Sequence, residues 1–390
     1  MAKLGTMFFL SYLVGIIVFL AVVMASVALH EAGHMSAARA LGMKVPEFFV
    51  GFGKTLFSRT RNGTEYGVKM LPLGGFVKIL PGRAATVETG VENAEDKEME
   101  DSLLSRVPPW KRIVVFIAGP VVNLVLGFVI LTGVAWTVPV TEATTTVKDT
   151  PACSEQSTTP CHAHDSGVVP GDVITDVNNV GVTTGSEAIS AIKSTPAGQN
   201  VSLTVQRGDD TLTLEIPHSG SGVGIVLDSV QHDRTLGGSV STVTAMASQQ
   251  IATIPKIPEY AWNTISVLFG EERTTDSLAS VYTVGRVYGD VASDDTQPND
   301  NKITLFFFYA GVLNLGLFAV NIIPLVPLDG GRIAIAIVDA LKGLFSRLTR
   351  RTYRPMSVHV VSVITAVGTA VVMFPMILIL LVDIFYPVAL

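Results

Sequence analysis

Two histidines and a glutamate have the spacing that holds a metal ion beside a general base. His30, Glu31 and His34 form the pattern His-Glu-x-x-His, and on a helix the two imidazoles lie four positions apart, on one face. Glu31 projects about 100° away from His30, so its carboxylate can act on a water molecule instead of the metal. Imidazole nitrogens suit Zn²⁺. The pattern therefore predicts zinc-assisted hydrolysis with Glu31 as the general base.

A catalytic zinc site needs a third protein ligand, and Asp329 is the main candidate. It lies in Asn321–Gly331, NIIPLVPLDGG, where prolines and glycines interrupt an apolar run. Backbone groups freed at membrane depth must be satisfied inside the protein or in a wet cavity. The alternative is that Asp329 only caps a helix from Gly330 to about Leu344. His359, which opens the next apolar run, is a weaker candidate ligand.

The histidine motif ends an apolar run that is long enough to cross a bilayer. Met7–Leu29 has no charged residue and exceeds the roughly 20 residues that a spanning helix needs. The chain of 390 residues has 15% charged residues and a mean hydropathy of +0.47, against about 25% charged residues in soluble proteins. We therefore predict an α-helical polytopic membrane protein with about four transmembrane helices, near residues 7–29, 113–138, 303–328 and 357–382.

The first apolar run has a second interpretation, a cleaved signal peptide with small residues at Ala25–Ala28. Its apolar core is longer than the 7–15 residues of a signal peptide, and only Lys3 precedes it. Cleavage there would also separate the helix from His30. We expect an uncleaved anchor.

Charge is distributed unevenly between the polar segments and predicts their sidedness. Residues 331–357 contain six Lys or Arg and one acidic residue, whereas residues 141–302 contain eight basic and twenty acidic residues. Short basic loops stay in the cytoplasm. We therefore expect a membrane protein with both termini and the central polar block outside, and with the metal site toward the cytoplasm. Topology accounts for the basic residues, so they do not indicate nucleic-acid binding.

Two short polar segments carry predictions of their own. Cys153 and Cys161 lie in the outer block, where an oxidising compartment favours a disulfide. His162 and His164 follow at once, so a small metal site is the alternative. Glu88–Asp101 is strongly acidic and is expected to be a solvated cytoplasmic loop.

A β-hairpin is predicted between the first two apolar runs. Asn62-Gly63 is a strong two-residue turn signal, and Thr55–Arg61 and Thr64–Met70 alternate partly like strands on either side of it. One interpretation is an ordinary cytoplasmic hairpin. The other is an edge strand that pairs with an extended substrate, because a transmembrane helix must unwind before its peptide bonds can be hydrolysed.

The central polar block has the pattern of a small α+β domain. Thr175–Val180, Val201–Gln206 and Thr211–Ile216 read as strands, and Ser186–Ser194 reads as a helix. Beyond it, Ile251–Phe269 contains two prolines and is expected to form short helices at the membrane face.

These motifs together resemble the site-2 protease family of intramembrane zinc metalloproteases, along nearly the whole chain. HEAGH at residues 30–34 and NIIPLVPLDGG match its metal-binding motifs, and Ala118-Gly119-Pro120 with Asn123 resembles its second-span motif. The resemblance implies that His30, His34 and Asp329 bind zinc and that Glu31 is the base. It also implies substrate contacts, which would involve Asn321 and the hairpin residues Gly51, Phe52, Gly53, Gly74 and Gly75. Arg332 departs from the pattern, since relatives often have His there.

The resemblance is greatest to the bacterial branch with a PDZ domain, particularly its actinobacterial members. GVVPGD at residues 167–172 and the strands that follow resemble a bacterial PDZ domain. The implied organisation is an N-terminal membrane core (1–140) with a membrane-associated β-hairpin loop at about 50–80, a PDZ domain (143–220), an extracytoplasmic linker (221–302) and a C-terminal membrane core (303–390). A PDZ domain there would bind a peptide in its groove or act as a steric gate.

Three functions are compatible with these features. The favoured one is a zinc endopeptidase that cuts the transmembrane segment of single-span membrane proteins, and the resemblance implies anti-sigma factors and remnant signal peptides as substrates. A non-catalytic membrane scaffold that recruits partners through its PDZ domain is the first alternative. A zinc peptidase acting on soluble cytoplasmic peptides is the second.

Overall fold

The computed structural model describes residues 2–80, 107–151, 161–218, 220, 222–273, 277–294, 296–350 and 358–386. The predicted acidic loop at 88–101 and Cys153 lie outside these residues. The chain forms two compact units, one made of Met1–Val134 with Val240–Leu390 and the other of Ala135–Ser239.

The described strands all lie between Lys44 and His232, and the described elements that follow His232 are all helical. In the described residues the α-helices are α1 (Ala2–Ala40), α2 (Pro109–Thr137), α3 (His162–Asp165), α4 (Gly185–Lys193), α5 (Leu236–Thr253), α6 (Ile257–Ile265), α7 (Val281–Ser293), α8 (Asn299–Asn321), α9 (Asp329–Leu348) and α10 (Val358–Phe385). The strands are β1 (Lys44–Arg61), β2 (Thr64–Leu80), β3 (Val140–Asp149), β4 (Val173–Val177), β5 (Val180–Gly181), β6 (Asn200–Arg207), β7 (Asp210–Pro217) and β8 (Val226–His232). Short 3₁₀ turns at Ile254–Lys256 and Ser266–Phe269 flank α6.

Four helices are long and apolar enough to cross a membrane, which confirms the predicted number of spans. They comprise Phe9–Ala40 of α1, Pro109–Thr137, Asn299–Asn321 and His359–Phe385. Because α1 continues without a break through the histidine motif to Ala40, His30 and His34 lie inside a helix of spanning composition.

The third span is shorter than predicted. Its helix ends at Asn321 instead of residue 328, and a non-helical loop of seven residues leads to α9. Pro324 and Pro327 lack the N–H groups that a helix interior requires. Gly330 lets the loop fold back tightly, since a Cβ there would collide with the carbonyl oxygen of Ile323. Asp329 therefore begins a new helix and does not end the span.

The hairpin is longer and more folded than predicted. The Asn62-Gly63 turn joins β1 and β2 as expected, but residues 47–50 pair with two segments, 65–68 on one side and 75–78 on the other. Gly51, Gly53 and Gly74 have positive φ angles of 92°, 84° and 95°, which allow both strands to bend. The two strands thus form four adjacent segments, in the order 55–61, 64–69, 47–50 and 75–80.

The second unit is an antiparallel sheet with a helix packed on it. Its strand order is β7-β6-β4-β3-β8, with β5 paired to β4. Val177, Ala188, Val201 and Leu203 are fully buried in its core. The predicted strand 175–180 is interrupted, because Asn178 and Asn179 form a turn with positive φ before β5. The unit includes β8, so it extends beyond residue 220.

Candidate metal centre

Three ligand atoms from two distant parts of the chain converge in the first unit. Nε2 of His30 lies 3.0 Å and Nε2 of His34 lies 3.2 Å from Oδ2 of Asp329, and the two nitrogens are 3.1 Å apart. Zinc bonds of 2.0–2.2 Å in a tetrahedron separate neighbouring ligand atoms by roughly 3.3 Å. In the described part of the chain this is the one cluster of three or more His, Cys, Asp or Glu side chains that could hold a metal ion.

The three side chains are shielded from solvent, and the Asp329 carboxylate is in the form that metal binding needs. His30 and His34 are 8% and 6% exposed. Burial raises the pKa of the Asp329 carboxyl, but hydrogen bonds from the two imidazoles outweigh burial and hold that pKa below its ordinary value. Asp329 is therefore an anion, which is the state in which a carboxylate binds a metal. Two imidazoles and one carboxylate are a donor set that fits Zn²⁺ with one position open.

The second span contacts both histidines through one face. Val115, Gly119 and Asn123 are spaced four residues apart on α2, so they lie on one side of the helix. Nδ1 of His34 donates to the carbonyl oxygen of Val115 at 2.8 Å, and Nδ2 of Asn123 lies 3.2 Å from Nδ1 of His30. Both imidazoles thus have a partner at Nδ1, which leaves Nε2 to face Asp329.

Gly119 gives the two imidazoles the space they occupy. A Cβ at this position would collide with Nε2 of His34 and would lie 2.8 Å from Nε2 of His30. In α1, a Cβ at Gly33, the residue before His34, would lie 2.7 Å from the carbonyl oxygen of Ala118. The family resemblance identifies the motif at residues 118–123, but the sequence analysis does not predict that this motif contacts His30 and His34. The four-residue spacing of Gly119 and Asn123 places both on one face of a helix, and this spacing is the sequence feature that indicates a shared contact surface.

Glu31 lies beside the hairpin and not among the three candidate ligands. A Cβ at Gly75 would be 3.1 Å from Cγ of Glu31 and 3.1 Å from Cγ1 of Val27. Because Gly75 has no side chain, the 75–80 segment can pass close to the carboxylate. The structure therefore places one of the five predicted hairpin residues directly at Glu31.

The other predicted substrate-binding residues lie at bends or on helix ends. Phe52 is 47% exposed, and its ring would be 2.6 Å from a Cβ at Gly74. Nδ2 of Asn321 donates to the carbonyl oxygen of Leu317 in its own helix. His359, the weaker ligand candidate, is exposed at the start of α10 and is outside the cluster.

A helix begins at Asp329, close to where the capping alternative predicts one, but the Asp329 side chain does not cap it. Leu328 is the N-cap residue, with no side-chain cap hydrogen bond, and the Asp329 carboxylate faces the histidines. Farther along the helix, Nη2 of Arg112 in α2 donates to Oδ2 of Asp339 at 2.8 Å, and both side chains are buried. This ion pair attaches α9 to the start of the second span and so helps to position Asp329.

The structure describes only one of the two cysteines in the predicted disulfide. Cys161 is disulfide-bonded, and Cys153, the one other cysteine in the sequence, lies outside the described residues. His162 and His164 are not part of a metal-binding cluster in the described residues.

The chain is similar to known zinc metalloproteases over most of its length. The model of peptidase family M50 matches residues 18–374. Zinc metalloprotease Rip1 of Mycobacterium tuberculosis is 29% identical over 368 residues, covering 85% of this chain and 87% of that protein. Rip1 of Mycolicibacterium smegmatis is 28% identical with the same coverage, and zinc metalloprotease RasP of Shouchella clausii is 26% identical over 93% of this chain and 97% of its own length. The suspected resemblance to the site-2 proteases is confirmed.

Proposed function

The chain belongs to peptidase family M50, the site-2 proteases, and from that membership we propose that it hydrolyses a peptide bond in the transmembrane segment of single-span membrane proteins. It is a metalloendopeptidase with a Zn²⁺ cofactor and four membrane-spanning helices. The observation that carries the proposal is the position of the ligand cluster. His30 and His34 lie within a helix of spanning composition, and Asp329 approaches them from the start of α9, after the seven-residue loop that follows the third span.

In the proposed mechanism His30, His34 and Asp329 hold the metal and Glu31 moves the proton. Zn²⁺ held by these residues would supply a Lewis acid for the scissile carbonyl and would lower the pKa of a water molecule toward about 7. The Glu31 carboxylate accepts a proton from the attacking water and then transfers it to the leaving amine nitrogen. The Nδ1 contacts with Val115 and Asn123 keep both imidazoles aligned while charge develops.

The hairpin supports a proposal for how the substrate is held. The 75–78 segment has one strand neighbour among the described residues, segment 47–50, and Gly75 of this segment adjoins Glu31. An unwound substrate that pairs with this edge would present its backbone to the base. Gly51, Phe52, Gly53 and Gly74 would shape the bends that hold the edge, and Asn321 would bind the substrate after releasing the carbonyl oxygen of Leu317.

The sidedness and the natural substrates are further parts of the proposal. The basic 331–357 segment and the acidic 141–302 block support a metal site toward the cytoplasm, with both termini and the second unit outside. We assign the second unit as a PDZ domain that acts as a size filter for substrates already trimmed outside. Anti-sigma factors and signal-peptide remnants in a bacterial plasma membrane are the proposed substrates.

The decisive experiment compares the purified wild-type protein with Glu31→Gln, using Glu142→Gln as an exposed control. We expect about one zinc per chain in all three proteins. Cleavage of a reconstituted single-span substrate should fall at least about 100-fold in Glu31→Gln alone. Full cleavage by this variant, or wild-type protein without stoichiometric zinc, would overturn the proposal.

Two further comparisons separate the alternative functions. A peptidase of soluble peptides would cut a soluble copy of the substrate segment as fast as the membrane-embedded segment. A scaffold would keep its cellular function in His34→Ala. The natural substrates are the membrane proteins that accumulate, by quantitative proteomics, when Glu31→Gln replaces the wild-type protein.

A further inference from the structure

Helix α9 carries an apolar stripe that no other part of the described chain covers. Between residues 337 and 348, six large apolar side chains are 40% to 76% exposed: Ile337, Val338, Leu341, Leu344, Phe345 and Leu348. At 100° per residue they fall within an arc of about 120°. Yet α9 is not one of the four helices with spanning length and composition. We call this surface the α9 stripe.

The opposite face of α9 is packed against the protein. Ala336, Asp339 and Ser346 are buried, and their positions lie on the side away from the α9 stripe. Asp339 makes the buried ion pair with Arg112 described above. The orientation of the helix is therefore set by the protein, and the α9 stripe is its outward face.

Exposed basic side chains border the α9 stripe. Lys342 and Arg347 lie on its two sides, and the exposed Arg350 follows the end of the helix. Within α9, the one acidic residue after Asp329 is the buried Asp339. The exposed surface thus combines an apolar centre with a cationic border, which is the pattern of helices that lie in the interface of an anionic membrane.

The position of α9 between two spans also indicates that a membrane covers the α9 stripe. One end of α9 is seven residues from the end of span α8, and the next described element after it is span α10. A helix held between the ends of two spans lies close to the bilayer surface, and its exposed apolar face meets acyl chains there. We propose that the α9 stripe lies in the bilayer surface and that Lys342, Arg347 and Arg350 bind the headgroups of anionic phospholipids.

The test uses the full-length protein in nanodiscs of phosphatidylcholine with a minor fraction of phosphatidylglycerol. A bimane fluorophore is attached to Leu344→Cys, and Asp210→Cys at the exposed start of β7 serves as the labelling control. A few per cent of the lipid carries a nitroxide on its acyl chain, on phosphatidylglycerol in one sample and on phosphatidylcholine in the other. Quenching at residue 344 reports insertion, and the ratio of the two samples reports headgroup preference.

We expect strong quenching at residue 344, little at residue 210, and more quenching from phosphatidylglycerol than from phosphatidylcholine. Each basic residue near an anionic surface contributes roughly fivefold enrichment. The preference should disappear in Lys342→Gln/Arg347→Gln/Arg350→Gln and in about 1 M salt. The matched triple Lys148→Gln/Lys193→Gln/Lys256→Gln, which removes three exposed lysines elsewhere, should retain it.

Two outcomes overturn the proposal. No quenching by either lipid means that a protein partner or a second copy of the chain covers the α9 stripe. Equal quenching by both lipids, unchanged in the basic-to-glutamine triple, means that the helix inserts without recognising the headgroup. Neither outcome bears on zinc binding or proteolysis, so the proposed function stands or falls separately.

Discussion

Asn123 of the second span reaches across to His30 of the first, with its amide nitrogen 3.2 Å from Nδ1 of the imidazole. Asn123 is 1% exposed, and its Oδ1 has no hydrogen-bond partner. A metal-binding Nε2 leaves a proton on Nδ1, which requires an acceptor. Because the amide oxygen and nitrogen are nearly interchangeable in shape, a half-turn of the amide makes Oδ1 that acceptor.

Replacing Asn123 should therefore weaken zinc binding. We expect Asn123→Leu to lower zinc affinity about 10- to 100-fold, the usual effect of losing the partner of a metal-binding imidazole. Competition with a chromophoric chelator measures the affinity directly. Asn314→Leu is the matched control, since Asn314 is equally buried but donates to Ser26 and to the carbonyl oxygen of Ala310. A similar loss in both variants would argue for a general packing defect.

A side chain at Gly119 should abolish the metal centre. The Cβ of Gly119→Ala would collide with Nε2 of His34 and lie 2.8 Å from Nε2 of His30, so the histidines must separate. We expect substoichiometric zinc and loss of cleavage. Gly133→Ala on the same helix is the control, because no atom lies within 4 Å of its Cβ position. Zinc content by atomic spectroscopy distinguishes the two variants, and normal zinc in Gly119→Ala would contradict the geometry.

A side chain at Gly75 should affect Glu31, the proposed general base, and not the metal. In Gly75→Ala the added methyl group lies 3.1 Å from Cγ of Glu31 and 2.9 Å from the carbonyl oxygen of Phe49. We expect cleavage to fall at least about 10-fold, since displacement of a base by less than an ångström is costly, while zinc stays near one per chain. Gly316→Ala, which has open space around it, should retain activity. If Gly75→Ala lost zinc as well, the hairpin would be part of the metal site.

The second unit should lose stability in acid through one buried carboxylate. Asp172 is fully buried and accepts from Nε and Nη2 of Arg207 at 2.7 and 2.9 Å and from the backbone N–H of Val169. The hydrogen bonds from Arg207 hold the pKa of Asp172 below its ordinary value. A lowered pKa stabilises the folded state at pH values above the unfolded value of about 3.9, and this contribution disappears as pH falls through the folded value.

Hydrogen exchange in the full-length protein, corrected for intrinsic rates, measures this contribution. Protection of β4 and β6 in the wild type should decrease as the pH falls below about 4. In Asp172→Asn protection should already be low at neutral pH and should change less with pH. Asp209→Asn, in the exposed β6–β7 turn, should behave like the wild type. Equal pH dependence in all three proteins would exclude the Asp172–Arg207 pair as the cause.

The metal centre shows how far local sequence reasoning reaches. The spacing of His30 and His34 predicts one face of a helix, and the continuous α1 has that arrangement. Four apolar runs predict four spans, and the Asn62-Gly63 turn predicts the hairpin. Each of these predictions depends on periodicity, hydropathy or turn chemistry within a single segment, and such local rules can be applied without a fold.

The features that the sequence alone does not predict involve contacts between segments that are distant in the chain. Val115 contributes a carbonyl oxygen, which its side chain does not reveal, and Gly119 contributes the absence of a side chain. The hairpin predicted as two short strands is folded into four segments because Gly51 and Gly74 allow bends that bring residues 47–50 between two neighbours.

By itself, the sequence determined the spans, the helical face that carries His30 and His34, and Asp329 as the candidate third ligand. Only the tertiary structure decided that the Asp329 carboxylate comes within 3.2 Å of both imidazoles, that Asn123 and Val115 contact them from behind, and that Gly75 adjoins Glu31. The physical reason is range. Helix period and hydropathy act between residues a few positions apart, whereas these distances join residues separated by tens to hundreds of positions, and close packing of whole helices sets them.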